Sequence, residues 1–103
     1  VEFVEVCNRG EVPEGGVRTV KVAGRAVALC NVGGEILAVD DVCPHAGGSL
    51  GRGRLEGETL VCPLHRAQFN VRTGEALGGP TTEALATYPV QVSGDLVRVA
   101  LSA

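Results

Sequence analysis

Cys43-Pro44-His45 and, after sixteen intervening residues, Cys62-Pro63-Leu64-His65 are two short segments that each offer one thiolate and one imidazole. Cysteine thiolates are the usual ligands of iron–sulfur clusters, and in one class of [2Fe–2S] centre two histidines replace two cysteines on one of the irons. A site of that class needs two Cys and two His converging from two loops, and this spacing supplies them. Pro44 and Pro63 add stiffness where each loop must turn sharply. The chain has two histidines in all, and each follows a cysteine by two or three residues. Zinc is the competing metal, yet its structural sites usually pair Cys with Cys and His with His at wider spacings, and a C-x-H pair is uncommon there.

Outward from these segments the chain reads as their scaffold. Asp41 to Arg54 lacks periodicity and contains Gly47, Gly48, Gly51 and Gly53, so it is expected to be a loop able to bend closely around a bound group. Short strands are expected at Thr59–Cys62 and Gln68–Val71 on either side of the second segment, with a turn at Arg72-Thr73-Gly74-Glu75. Before the site, Val1–Cys7, Val17–Ala23, Ala26–Val32 and Glu35–Val39 read as strands forming an antiparallel meander, with Gly33-Gly34 a two-residue hairpin signal. After it, Tyr88–Ser93 and Leu96–Leu101 form a closing hairpin around Gly94-Asp95.

Composition agrees with an all-β reading. Hydrophobic residues make up 45% of the chain but aromatic residues only 3%, so the core must be mainly Val, Leu and Ala. Fifteen glycines and five prolines imply many turns. A chain of 103 residues supports one domain. The net charge of −3 argues against a general nucleic-acid binder. No apolar run is long enough for a transmembrane helix, and Val1 to Val6 alternates with acids, unlike a secretion signal, so a cytoplasmic protein is expected. Cys7 and Cys30 are expected to be buried free thiols, a disulfide between them being the competitor. Asp40, Asp41, Glu56 and Glu58 read as a solvated acidic face.

The two segments resemble the cluster-binding boxes of the Rieske [2Fe–2S] proteins, in the family's C-x-H and C-x-x-H order and spacing. The likeness continues through Gln68-Phe69-Asn70 and Thr73-Gly74-Glu75-Ala76 to Gly78-Gly79-Pro80 and the terminal hairpin. It implies an antiparallel β-sandwich base with a small loop-rich cluster-binding subdomain, from roughly Asp41 to Pro80. It also implies that Cys43 and Cys62 bind the buried iron, that His45 and His65 bind the outer iron, and that the loop bearing Pro80 shields the cluster. The extra cysteines that clamp the two boxes of membrane-bound respiratory members are absent, since the corresponding stretches read Ala46-Gly47-Gly48 and Pro63-Leu64. That narrows the resemblance to the soluble ferredoxin and oxygenase-type branch. One departure is Arg66, which stands where the family usually has glycine after the second histidine. The glycine-favoured backbone there is placed in doubt, and Arg66 reads first as a solvated side chain, its place beside His65 also making it a docking candidate.

The implied function is one-electron transfer by a single Rieske-type [2Fe–2S] cluster. The expected partners are a flavin-dependent reductase and a terminal ring-hydroxylating oxygenase, the carrier itself being a monomer. Oxygenase chemistry of its own would need a further two-histidine, one-carboxylate iron site, and no histidines remain for it. The alternatives are a small Rieske subunit of a larger redox enzyme such as nitrite reductase and, from another class, a structural zinc or interaction module. High-potential family members place serine and tyrosine hydroxyls two and four residues after the second histidine; here those places are Ala67 and Phe69. The reduction potential is therefore expected near the low end of the Rieske range, about −150 mV.

Overall fold

The computed structural model describes residues 2–43, 48–63, 66–79 and 83–101. β2 (Val17–Val22), β3 (Arg25–Val32) and β4 (Glu35–Asp40) pair antiparallel in chain order. Their turns fall at Ala23-Gly24 and Gly33-Gly34, where all four residues take positive φ. Tight turns of this hand match the twist of the strands they join. The apolar run of β3 is explained by burial on both faces, Val27 to Asn31 being buried without a break. Val27 and Leu29 pack with Val20, Val22, Ile36, Ala38, Val97 and Val99. Ala28 and Cys30 point the other way, into a second core with Val39, Leu50, Leu60 and Phe69. A strand read by both cores cannot slip by one residue without exchanging its two faces, so the register is strongly specified.

The N-terminal strand does not extend the meander as expected. β1 (Val4–Asn8) pairs with β11 (Leu96–Val99), which also pairs with β10 (Val90–Ser93), giving a separate sheet of order β1-β11-β10. The reason is burial: Val97 and Val99 cover the Val20, Val22, Val27 and Leu29 face, which an isolated meander would leave wet. Arg9 N–H donates to Asp95 O at 2.6 Å and ties the end of β1 to the closing turn. β9 (Thr87–Tyr88) adds an edge to β4, so the second sheet runs β2-β3-β4-β9.

The third sheet lies within the stretch from Arg54 to Gly78. It runs β5-β6-β7-β8, from β5 (Arg54–Glu56), β6 (Thr59–Val61), β7 (Gln68–Asn70) and β8 (Ala76–Gly78), all antiparallel. β6 and β7 were expected, whereas β5 and β8 fall at the edges of stretches read as irregular. Three residues are too few for an alternation to register, and only pairing with β6 and β7 makes them strands. Val71 N–H donates to Glu58 O at 2.9 Å and Asp40 N–H to Ala86 O at 2.9 Å, closing one face of the subdomain and holding the base to the returning chain.

Candidate metal centre

The two ligand segments are closed in the same way. Cys43 N–H donates to Gly48 O at 2.9 Å, and Cys62 N–H donates to Ala67 O at 2.8 Å. In each case the cysteine's own amide ties off a loop that includes the histidine of that segment, five residues separating donor from acceptor. The first neck is reinforced by Leu50 N–H donating to Asp41 O at 2.7 Å and by a bridge between Val42 and Ser49. Cys43 and Cys62 are both fully buried, neither is in a disulfide, and they belong to one core with Leu50, Leu60, Ala67 and Phe69. His45, His65 and Pro80 lie outside the described residues.

Asp41 corrects the expectation of a solvated acidic face. It is only 4% exposed. Its Oδ1 accepts from Thr19 Oγ1 at 2.9 Å and from Gly51 N–H at 2.7 Å, while Oδ2 accepts from Ser49 Oγ at 2.7 Å. A buried carboxylate is tolerated where such donors replace its hydration, and here they come from β2 and from the return limb of the first ligand loop. Gly51 is required by this closeness, because a Cβ there would overlap Thr19 Oγ1. The sequence shows only two adjacent aspartates; that Thr19 lies opposite the second is a tertiary fact. The other acids are surface partners, Asp40 of Arg25, Glu56 of Arg54 and Glu58 of Arg72.

Arg66 takes φ +57°, so it adopts the left-handed backbone that glycine favours, without being glycine. The strain of that conformation is of order 1 kcal/mol for a residue with a Cβ. The turn that follows the second ligand segment is thus kept despite the substitution. Gly79, at φ +93°, comes so near this loop that a Cβ on it would lie 2.7 Å from Ala67 Cα and 3.1 Å from Arg66 O. Gly79 therefore packs directly against Arg66 and Ala67 of the second loop.

A search against known families matches residues 2–89 to the Rieske [2Fe–2S] domain. The chain belongs to this family. Its cofactor is one Rieske-type [2Fe–2S] cluster. The Rieske chain is 46% identical over 92 residues to the ferredoxin component of the naphthalene 1,2-dioxygenase system of Pseudomonas aeruginosa, covering 89% of this chain and 88% of that one. Among solved structures, the complex of reduced oxygenase and oxidised ferredoxin in carbazole 1,9a-dioxygenase contains a chain of TM-score 0.89 and 34% identity, with 95% of this chain and 92% of that chain covered. The ferredoxin of carbazole 1,9a-dioxygenase from Nocardioides aromaticivorans IC177 matches at TM-score 0.91 and 29% identity, over 97% and 98% of the two chains.

The described residues fit the family's cluster. Two buried thiols, neither consumed in a disulfide, lie in loops of like closure, and thiolates are ligands that such a centre takes. The zinc alternative is set aside with the family assignment. Ala67 and Phe69 are completely buried and bring no side-chain donor to the site. Cys30 and Cys7 are free, as expected, and no bond joins them. Burial, with a smaller contribution from the charge of Asp41, pushes the Cys30 thiol up to about 12. Cys7 is half-buried, and burial followed by the Glu11 charge raises its thiol too, against an opposing effect of Arg18.

Proposed function

We propose that this Rieske protein is the ferredoxin component of a ring-hydroxylating dioxygenase system, carrying single electrons from a flavin-dependent reductase to a terminal oxygenase. Cys43 and Cys62 would hold the inner iron, and His45 and His65 the outer one. The bound cluster supplies reversible one-electron chemistry at a potential raised by its neutral imidazole ligands. The chain's own residues do the rest. Paired amide closures hold the ligand loops, Asp41 fastens the first loop to the base, and the Gly78-Gly79-Pro80 segment screens the site. Arg66 stands at the rim of the face through which the electron leaves. The protein works as a monomer in the cytoplasm; among the described residues no helix is long and apolar enough to cross a membrane.

The observation that carries this reading is the pair of like-closed loops, which together contain both histidines of the chain and leave none for a mononuclear oxygenase iron. The test is reconstitution. Purified protein with iron and acid-labile sulfide at two per chain should support hydroxylation of naphthalene by the reductase and oxygenase components of a naphthalene dioxygenase system. Cys43→Ser and Cys62→Ser should lose the cluster, whereas Cys7→Ser should keep it. Full cluster content in Cys43→Ser, or no turnover with intact protein, would sink the reading.

A further inference from the structure

Beside Cys62 opens a cavity of about 250 Å3, lined by Arg52, Gly53, Arg54, Val61, Pro63 and Arg66. Three of the chain's nine Lys and Arg residues thus meet in one place on a protein whose net charge is −3. They arrive from both ligand loops: Arg52 ends the 3-10 turn Leu50–Arg52, Arg54 begins β5, and Arg66 follows His65.

The cations elsewhere are mostly neutralised. Arg18 pairs with Glu11, Arg25 with Asp40, Arg98 with Glu5, and Arg72 with both Glu35 and Glu58. Arg9 donates to Gly34 O. At the cavity only Arg54 has a carboxylate, Glu56, and both are exposed. Exposed pairs of that kind exchange readily for another partner. Among the described residues Arg52 and Arg66 are in no ion pair. Three guanidinium groups held together repel one another until an anion joins them, and their forked donors suit carboxylates. Arg52, Arg54, Pro63 and Arg66 are all exposed, which suits a side chain presented by another protein surface.

We propose that this arginine cavity seats Asp or Glu carboxylates projecting from the terminal oxygenase, anchoring an acidic patch of that partner beside Cys62. The proposal rests on the electron-carrier reading above and adds to it the charge of the partner and the place of contact.

The cluster-loaded protein tests it in two arms, with Lys21→Glu on β2 as a control of equal charge change on the base. In the first arm the reduced protein is oxidised by ferricyanide, a small anion. At low ionic strength Arg52→Glu and Arg54→Glu should each slow this reaction by roughly three- to tenfold, with the difference closing at high salt, while Lys21→Glu changes it less than about twofold. In the second arm the reduced protein is mixed with the oxygenase component of a naphthalene dioxygenase system, and the same ranking is expected. All three variants should retain the wild-type visible spectrum. Equal slowing by all three would overturn the proposal, since net charge alone would then explain it. Saturable binding of inorganic phosphate that Arg52→Glu abolishes, with oxygenase reduction unaffected, would also overturn it by identifying a free-anion site. Failure of the wild-type protein to reduce the oxygenase would instead refute the carrier reading, the ferricyanide ranking still deciding the charge at the cavity.

Discussion

Replacing Asp41 with alanine should weaken the hold of the base on the first ligand loop, and the size of the effect follows from its three donors. Gly51 N–H loses its acceptor in a half-buried position, which costs about 1–3 kcal/mol. Ser49 Oγ and Thr19 Oγ1 also lose theirs, but Thr19 is exposed and Ser49 half-buried, so water replaces much of each bond and about 0.5–1 kcal/mol apiece is expected. The sum is about 2–5 kcal/mol, or roughly 10–25 °C in Tm for a domain of this size. Asp41→Asn keeps an acceptor for Gly51 and a group that can donate to Ser49 Oγ, losing mainly the charge, so about 1 kcal/mol is expected. The assay is thermal unfolding of the cluster-loaded protein, followed in parallel by far-UV circular dichroism and by loss of visible absorbance. Bleaching should come earlier in Asp41→Ala, because the loop that contains Cys43 is the part released. A Tm within about 2 °C of wild type for Asp41→Ala would show that these bonds do not hold the loop, as would identical behaviour of the alanine and asparagine variants.

Two further outcomes follow from the core of the site. The Cys30 thiol, raised from 9.0 to about 12 by burial and then by Asp41, remains protonated in the folded protein while the unfolded chain releases its proton. Its stabilising contribution is complete below pH 9 and is lost as pH rises from about 9 towards 12, at about 1.4 kcal/mol per pH unit. Urea unfolding between pH 8 and 11 should therefore show a steeper decline for wild type than for Cys30→Ala, and parallel curves would refute the assignment. Because Ala67 and Phe69 offer no hydroxyl, the midpoint potential by protein-film voltammetry should lie near about −150 mV and vary little around neutral pH; Ala67→Ser should raise it. A wild-type midpoint well above zero would contradict that account.

The spacing that points to a Rieske-type cluster is local in sequence, and the cluster class was legible there. Cys43, His45, Cys62 and His65 announce themselves by residue type and spacing, and the turns at Gly33-Gly34 and Gly94-Asp95 by the backbone freedom they require. The all-β class followed from short apolar alternations between turn residues, since period and punctuation are properties of neighbouring residues. What the tertiary structure decided is everything that depends on which distant segments share a core. β1 pairs with β11 because the outer face of the meander needs a cover, a requirement no single strand expresses. β5 and β8 exist only as edges of β6 and β7. Arg66 holds a positive φ that its residue type disfavours, the surrounding loop closure over-determining it. Asp41 looked like one more surface acid until Thr19, Ser49 and Gly51 were brought around it, and Arg52, Arg54 and Arg66 became one site only when the two ligand loops met. Hydrogen bonds and fields act over a few ångströms in space, whereas the chain lists these residues up to thirty-two positions apart.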